Sequence, residues 1–242
     1  MELIRFGTKY GGYYYPRKLE GLSASSVIYC VGAGEDISHD VEVAHTTGAT
    51  VHIFDPTPRA IIHTDLVQKV LETKMELSPN RNYGGGDVNY WPRILEHHID
   101  PKQIALHTYG LYTEDNAAMR FYKPTNKEYV SHSVVEGMKG EEFIEIPVKS
   151  LRTIMSDLGH KTIDLLKLDI EGCECDVLDA MLDDKVYPKY LSVDFDLGWT
   201  GETLRDRARC DKVIERLKSV GYKLLHAEGA DYSFIRLPDY IF

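Results

Sequence analysis

The chain has 242 residues, 43% of them hydrophobic and 27% charged, which is enough to bury a sizeable core without covalent staples. Its 38 acidic residues against 28 basic ones leave a formal net charge of −10. That balance counts against nucleic acid as a partner, because a polyanion-binding surface needs surplus Lys and Arg to release counterions. No run of about 18 apolar residues is present to span a bilayer. The opening M-E-L-I-R-F-G-T-K-Y-G-G has neither an apolar core nor a small-residue cleavage site, so a cytoplasmic protein is expected.

Residues 1–26, with K-Y-G-G-Y-Y-Y-P-R-K-L at their centre, read as an N-terminal arm in which Gly11 and Gly12 permit a tight bend. Such an arm either lies over a ligand or packs on the core for stability. Val27 to Val31 is a first strand, Cys30 within it reading as a small buried hydrophobe. A helix follows over Glu35 to Thr47, then a second strand over Thr50 to Phe54 that ends in Asp55. D-P-T-P starts a helix running to about Lys74, with proline in the first turn and Asp or Thr as its cap. Residues 78–92, S-P-N-R-N-Y-G-G-G-D-V-N-Y-W-P, form a long loop with three glycines in a row and three aromatics. Long loops in compact domains are commonly functional, and Tyr and Trp faces stack on sugar C–H surfaces, so an acceptor-binding lid is expected. Aromatic packing against a sheet edge is the alternative.

Gln103 to His107 is a third strand, followed by G-L-Y, and Met119 to Tyr122 and Phe143 to Val148 are further extended segments. Ser150 caps a short helix to Leu158. The apolar strand Ile163 to Leu168 leads into D-I-E-G, with a helix over Glu174 to Leu182 and a buried strand over Tyr190 to Phe195. Thr203 to Val220 is a long amphipathic helix, and Tyr222 to His226 with Tyr232 to Leu237 closes the chain as an antiparallel hairpin. This alternation predicts an α/β fold with a doubly wound, mostly parallel sheet. No repeat or linker marks a boundary, so residues 1–242 read as a single domain. Cys173 and Cys175 are too close for the usual zinc spacing and strained for a disulfide; with Cys210 they read as reduced thiols.

Ligands of a doubly wound sheet sit at the carboxyl ends of its strands. The residues just past those ends are Gly32 and Gly34, Asp55, the turn from His107 to Leu111, Asp169 and Glu171, and Asp194 and Asp196. Gly32 and Gly34 let a ligand approach the backbone, and Asp55, about 20 residues on, is placed to accept ribose hydroxyls. Ile37 stands where the third glycine of a dinucleotide fingerprint belongs, which counts against a pyrophosphate and hence against NAD or FAD. A nucleoside without phosphates remains, of which S-adenosylmethionine is the common one.

V-G-A-G-E-D after one strand, F-D-P-T-P after the next and above all I-D-L-L-K-L-D-I-E-G-C-E resemble the FkbM-type methyltransferases. These are class I S-adenosylmethionine-dependent enzymes, many of which methylate sugar hydroxyls. The similarity runs from about Gly7 to Asp196, and Lys167 to Glu174 is its most specific piece. The loop from Tyr83 to Trp91 departs from the family pattern. The resemblance implies a Rossmann-like seven-stranded sheet ending in an antiparallel hairpin. It implies that Gly32, Gly34 and Glu35 line the methionine side of the cofactor and that Asp55 binds its ribose. By the same resemblance Gly110 and Leu111 lie near the adenine, and Asp169 and Glu171 face the sulfonium and the acceptor.

Methyl transfer to a neutral hydroxyl is an in-line displacement in which the acceptor is held close and loses its proton late. Asp169 is the expected base or acceptor-orienting group, with Glu171 and Asp196 as the other catalytic acids. Asp169, Asp194 and Asp196 are alternatively ligands for Mg²⁺, since hard oxygens at adjacent strand ends suit that ion. A plainer role for Asp169 and Glu171 is to cap the following helix. Ser192, Asp194 and Asp196 alternate along one strand and share a face, which favours a site over a core. His107, His132 and His226 are further candidate bases, although isolated histidines near strand ends more often simply form hydrogen bonds. His97 and His98 are expected to be solvated. Together these features predict an S-adenosylmethionine-dependent O-methyltransferase acting on a sugar or glycan hydroxyl. The alternatives are methyl transfer to a small non-sugar metabolite and a binding module that has lost catalysis.

Overall fold

The computed structural model describes residues 2–75, 83–123, 141–195 and 204–237, of which 204–206 by backbone alone. The fold is α/β with two compact units, Met1–Thr108 and Tyr109–Phe242. Its principal sheet has seven strands and is mostly parallel, as expected. Among the described residues no helix is long and apolar enough to cross a membrane.

The first unit opens with an antiparallel hairpin, β1 (Leu3–Phe6) and β2 (Tyr13–Pro16), where an arm without strands was expected. Tyr13 and Tyr15 are buried and Tyr14 is half-exposed, so the strand alternation is present but hidden within three identical residues. Gly12 is required at the bend, because a Cβ there would sit 2.4 Å from the carbonyl oxygens of both Phe6 and Thr8. Strand β3 (Ile28–Val31) follows, then α1 (Ser38–Thr47), β4 (Val51–Phe54), α2 (Pro58–Thr73), α3 (Tyr90–Glu96) and β5 (Ile104–His107). β3 pairs in parallel with β4, and β4 with β5. Every residue of β3 is buried, which is why its sequence is a continuous apolar run and not an alternation. Helix α1 starts at Ser38, three residues later than expected, because the Asp36 carboxylate accepts the Ser38 amide at 2.9 Å and holds the preceding residues in a turn.

The 78–92 loop is described from Tyr83 onward. Tyr83–Gly86 forms a single 3₁₀ turn with Gly84 and Gly85 in the left-handed region, and α3 begins at Tyr90. Tyr83, Tyr90 and Trp91 are buried around His63 of α2. The His63 ring stacks on Tyr83 with 4.6 Å between ring centres, and its Nε2 shares a 2.7 Å hydrogen bond with the Tyr90 hydroxyl. Burial pushes the His63 imidazole down to about 3, so it packs as a neutral ring. All three rings of the loop expected as an acceptor lid are thus buried within this unit.

The second unit begins with a three-stranded sheet of β6 (Gly110–Tyr112), β7 (Asn116–Tyr122) and β8 (Phe143–Ser150), in the order β6-β8-β7. β6 runs parallel to β8 and β7 antiparallel to it. Helix α4 (Leu151–Asp157) is capped as expected, the Ser150 hydroxyl accepting the Thr153 amide at 3.2 Å. Then come β9 (Leu165–Leu168), α5 (Glu174–Asp183), β10 (Tyr190–Asp194), α6 (Leu204–Ser219), β11 (Tyr222–Glu228) and β12 (Asp231–Arg236). β10 pairs in parallel with β9 and antiparallel with β12, and β11 and β12 form the expected hairpin. All four cysteines are buried thiols outside any disulfide; Cys175 of α5 and Cys210 of α6 meet with 3.4 Å between their sulfurs.

Candidate functional site

In the first unit the chain leaves β3 through Gly32 (φ +83°) and Gly34 (φ +51°), conformations that a side chain disfavours. The Gly32 amide donates to the Phe54 carbonyl at 3.0 Å and ties the turn to the end of β4. Asp55, the next residue, reaches back with its carboxylate. Its Oδ2 accepts the amides of Ala33 at 2.9 Å and Gly34 at 3.1 Å. Its Oδ1 accepts the amide of Thr57 at 2.8 Å and the Thr57 hydroxyl at 2.6 Å. A carboxylate offers about four acceptor positions, so these donors fill it. Asp55 stands where the ribose-binding acid is expected, and in this structure it braces the glycine turn and the entry to α2. Thr57, expected as a possible cap, occupies the N-cap position without a side-chain capping bond; its hydroxyl donates to Asp55 instead.

Glu35, expected on the methionine side, forms a two-pronged ion pair with Arg59 in the first turn of α2. Arg59 Nε donates to Oε1 at 3.0 Å and an Arg59 terminal nitrogen to Oε2 at 2.5 Å. The Glu35 carbonyl accepts the Gly84 amide at 3.0 Å, which seats the start of the glycine loop on this turn. Arg59 was not singled out from the sequence, although D-P-T-P-R puts a cation on the first turn after the strand-end acid.

In the second unit β9 is buried throughout, Lys167 included. Lys167 Nζ lies 3.8 Å from Asp169 Oδ2, and the Asp169 side chain keeps 32% of its surface exposed. The following turn places Glu171 (φ +57°) and Gly172 (φ +112°) in conformations that a β-carbon strains, a feature that clusters at functional sites. Glu174 closes the turn: its Oε1 accepts the Ile170 amide at 3.1 Å, and the Gly172 amide lies 3.1 Å from both of its oxygens. The N-cap position of α5 is Cys173, and the amides of Ile170 and Gly172 in the turn are held by Glu174. Burial pushes the Glu174 carboxyl up to about 8 against the pull of those amides, with the charge of Asp169 raising it further. Glu174 is thus a protonated strut at neutral pH, and Asp169 the half-exposed acid with an ammonium group behind it.

Asp194 ends β10, directly opposite Asp231 in the register with β12. Asp196 and His132 lie outside the described residues. Asp196, one of the three ligands expected for Mg²⁺, is among those outside residues, so no step is assigned to that ion; Asp169 and Asp194 join no three-ligand group of His, Cys, Asp or Glu side chains among the described residues. Gly110 and Leu111, expected near the adenine, are buried in β6; an added Cβ at Gly110 would lie 3.2 Å from Val148 Cγ1, a tight contact that the valine would have to relieve. His107 stacks on Phe54 and shares a 3.0 Å hydrogen bond with His52. His226 Nε2 lies 3.9 Å from a Glu228 carboxylate oxygen. His97, expected in solvent, is largely buried, 3.7 Å from Glu42.

No curated protein matches the chain at the sequence level. Among solved structures, an rRNA methylase from Streptococcus thermophilus is 10% identical, covering 91% of this chain and 92% of its own, with a TM-score of 0.43. The Methanococcus jannaschii fibrillarin pre-rRNA processing protein is 8% identical, covering 92% and 70%, with a TM-score of 0.43. A precorrin-6y C5,15-methyltransferase from Geobacter metallireducens is 14% identical, covering 90% and 81%, with a TM-score of 0.41. Likenesses this distant bear on neither substrate nor site. The decisive match is to the family model of the methyltransferase FkbM domain, over residues 29–224, which takes in both the Gly32 turn and the D-I-E-G segment. The chain therefore belongs to the FkbM methyltransferase family, whose membership implies S-adenosylmethionine as the methyl donor.

Proposed function

We propose that the chain is an S-adenosylmethionine-dependent O-methyltransferase acting on a hydroxyl of a sugar or glycan. The donor, when bound, supplies a methyl group made electrophilic by its sulfonium. The observation that carries the donor assignment is the Asp55 brace. In dinucleotide sites the amides of this turn face phosphate, whereas here the amides of Ala33 and Gly34 are held by a carboxylate. A turn so arranged suits a nucleoside that carries no phosphate. In this reading Gly32 and Gly34 allow close approach of the backbone, Glu35 lies on the methionine side, and Asp55 takes a ribose hydroxyl in exchange for that of Thr57.

Asp169 takes the acceptor's proton as the new C–O bond forms and the C–S bond breaks, and Glu171 orients the acceptor. Lys167, 3.8 Å from Asp169, keeps the carboxylate's position and charge. The sugar acceptor rests on the family resemblance. Four cysteines outside any disulfide support a reducing, cytoplasmic setting.

The test is incubation with methyl-labelled donor and a panel of sugars, glycans and small non-sugar alcohols. Label is expected in a base-stable ether on a sugar. Label in an amine or a base-labile ester overturns O-methylation, and label confined to non-sugar alcohols overturns the sugar assignment.

A further inference from the structure

The first unit contains a side-chain cluster that methyl transfer does not use. Cys30 of β3 and His39 and Asp40 in the first turn of α1 are each 0% exposed. One ligand atom from each lies within 4.8 Å of the others. We propose that Cys30, His39 and Asp40 form a buried structural zinc site.

The donor chemistry is that of zinc: a thiolate, an imidazole nitrogen and a carboxylate oxygen, all of which the ion takes in tetrahedral geometry. A divalent cation with one thiolate, one carboxylate and a neutral imidazole has no net charge. That removes much of the penalty for placing ionised groups in an interior without water. A softer donor set than oxygen alone also discriminates against Mg²⁺ and Ca²⁺.

The orientation of His39 is the second observation. Its Nε2 shares a 3.0 Å hydrogen bond with the Tyr15 hydroxyl, and a metal-binding ring would donate through it. In that tautomer the lone pair is on Nδ1. Nδ1 is buried with no hydrogen-bond partner and lies 3.8 Å from Asp40 Oδ2. Such a distance is too long for a hydrogen bond, but close to the roughly 3.3 Å between two ligands of one tetrahedral zinc. Metal-bound histidines commonly have their other nitrogen anchored in this way. The ring is further held by Tyr13 and Tyr15, each 5.6 Å away between centres. Drawing the three ligand atoms from 4.8 Å to zinc-bound separations of about 3.3–3.6 Å needs side-chain movements of about 1 Å.

The site is structural because nothing in it reaches solvent. It joins β3 to α1 and, through Tyr15, to the N-terminal hairpin. An added Cβ at Gly7 would lie 2.8 Å from the His39 backbone nitrogen, so the hairpin is seated directly on the ligand-bearing turn. On this proposal the tyrosine-rich arm is anchored to the core through an outer-shell contact of the metal.

The test is metal analysis of the purified full-length chain, followed by unfolding and refolding with zinc or with EDTA. A stoichiometric zinc is expected that survives EDTA in the native protein and is lost on unfolding, with a lower thermal midpoint after refolding in EDTA. Refolding with Co²⁺ is expected to give a thiolate-to-cobalt charge-transfer band that Cys173→Ala retains and Cys30→Ala loses. If Cys30→Ala does not fold, the metal content and cobalt spectrum of the unsubstituted chain and of Cys173→Ala decide. A metal-free protein with the same thermal midpoint after refolding in zinc or in EDTA overturns the proposal. So does zinc that persists in a folded Cys30→Ala variant.

Discussion

Asp169 and Glu174 share one turn and do different work because their surroundings differ. Asp169 is half-exposed beside Lys167, whereas Glu174 is buried with backbone amides on its oxygens. The exposure of the first suits the base role proposed for it; the second holds the turn. Asp169→Asn is expected to lower kcat by about 10²- to 10⁴-fold while leaving donor affinity within about threefold, measured by steady-state kinetics and a separate titration. Turnover within tenfold of the parent removes Asp169 from the base role. The place of Asp169 was legible in the sequence, because an apolar strand followed by an acid puts that acid at a carboxyl end. The role of Glu174 was not, since it depends on which amides the turn exposes and on burial that no spacing reports. Asp55 was legible in position for the same reason as Asp169, and its four donors were not.

Elements were legible where the chain obeys one period. I-Y-C-V and L-L-K-L are continuous runs because both strands are covered on both faces, and even Lys167 did not break the pattern. The N-terminal hairpin escaped because Tyr13, Tyr14 and Tyr15 are one residue type, although only alternate rings are buried. The cluster of Cys30, His39 and Asp40 escaped because a strand and a helix bring it together with no ligand spacing in the chain. The 78–92 loop was read by composition, and its rings turned inward around His63. Two glycines there separate clash from backbone strain. A Cβ at Gly84 would meet Tyr90 Cδ2 at 2.6 Å, whereas one at Gly86 meets nothing within 4 Å, and both have positive φ. Gly86→Ala is expected to cost about 1–2 kcal/mol and Gly84→Ala distinctly more, by denaturant unfolding. Equal costs would show that the loop does not pack as described.

For the whole molecule, two buried groups give stability opposite slopes with pH. His63 is held at about 3 by burial, below its ordinary 6.5, so the unfolded chain takes up the proton first and stability falls as pH drops below about 6.5. Glu174 is held at about 8, above its ordinary 4.5, so the folded chain keeps a proton that the unfolded chain releases; stability falls as pH rises from about 4.5 towards 8. Thermal midpoints across pH are expected to show His63→Phe flattening the acidic limb and Glu174→Gln the alkaline one. Unchanged limbs would mean that these groups titrate alike in both states.

The α/β class and the FkbM resemblance were legible because the glycine turn, F-D-P-T-P and D-I-E-G each follow a strand. The acceptor was not, because side chains and not strand ends select it. The central claim is that the Gly32 turn, braced by Asp55, holds S-adenosylmethionine. Calorimetric titration of the full-length chain and of Asp55→Ala with S-adenosylmethionine tests it most directly. One-to-one binding by the parent and at least about tenfold weaker binding by the variant are expected. No heat of binding from the parent, or equal affinity in the variant, would contradict it.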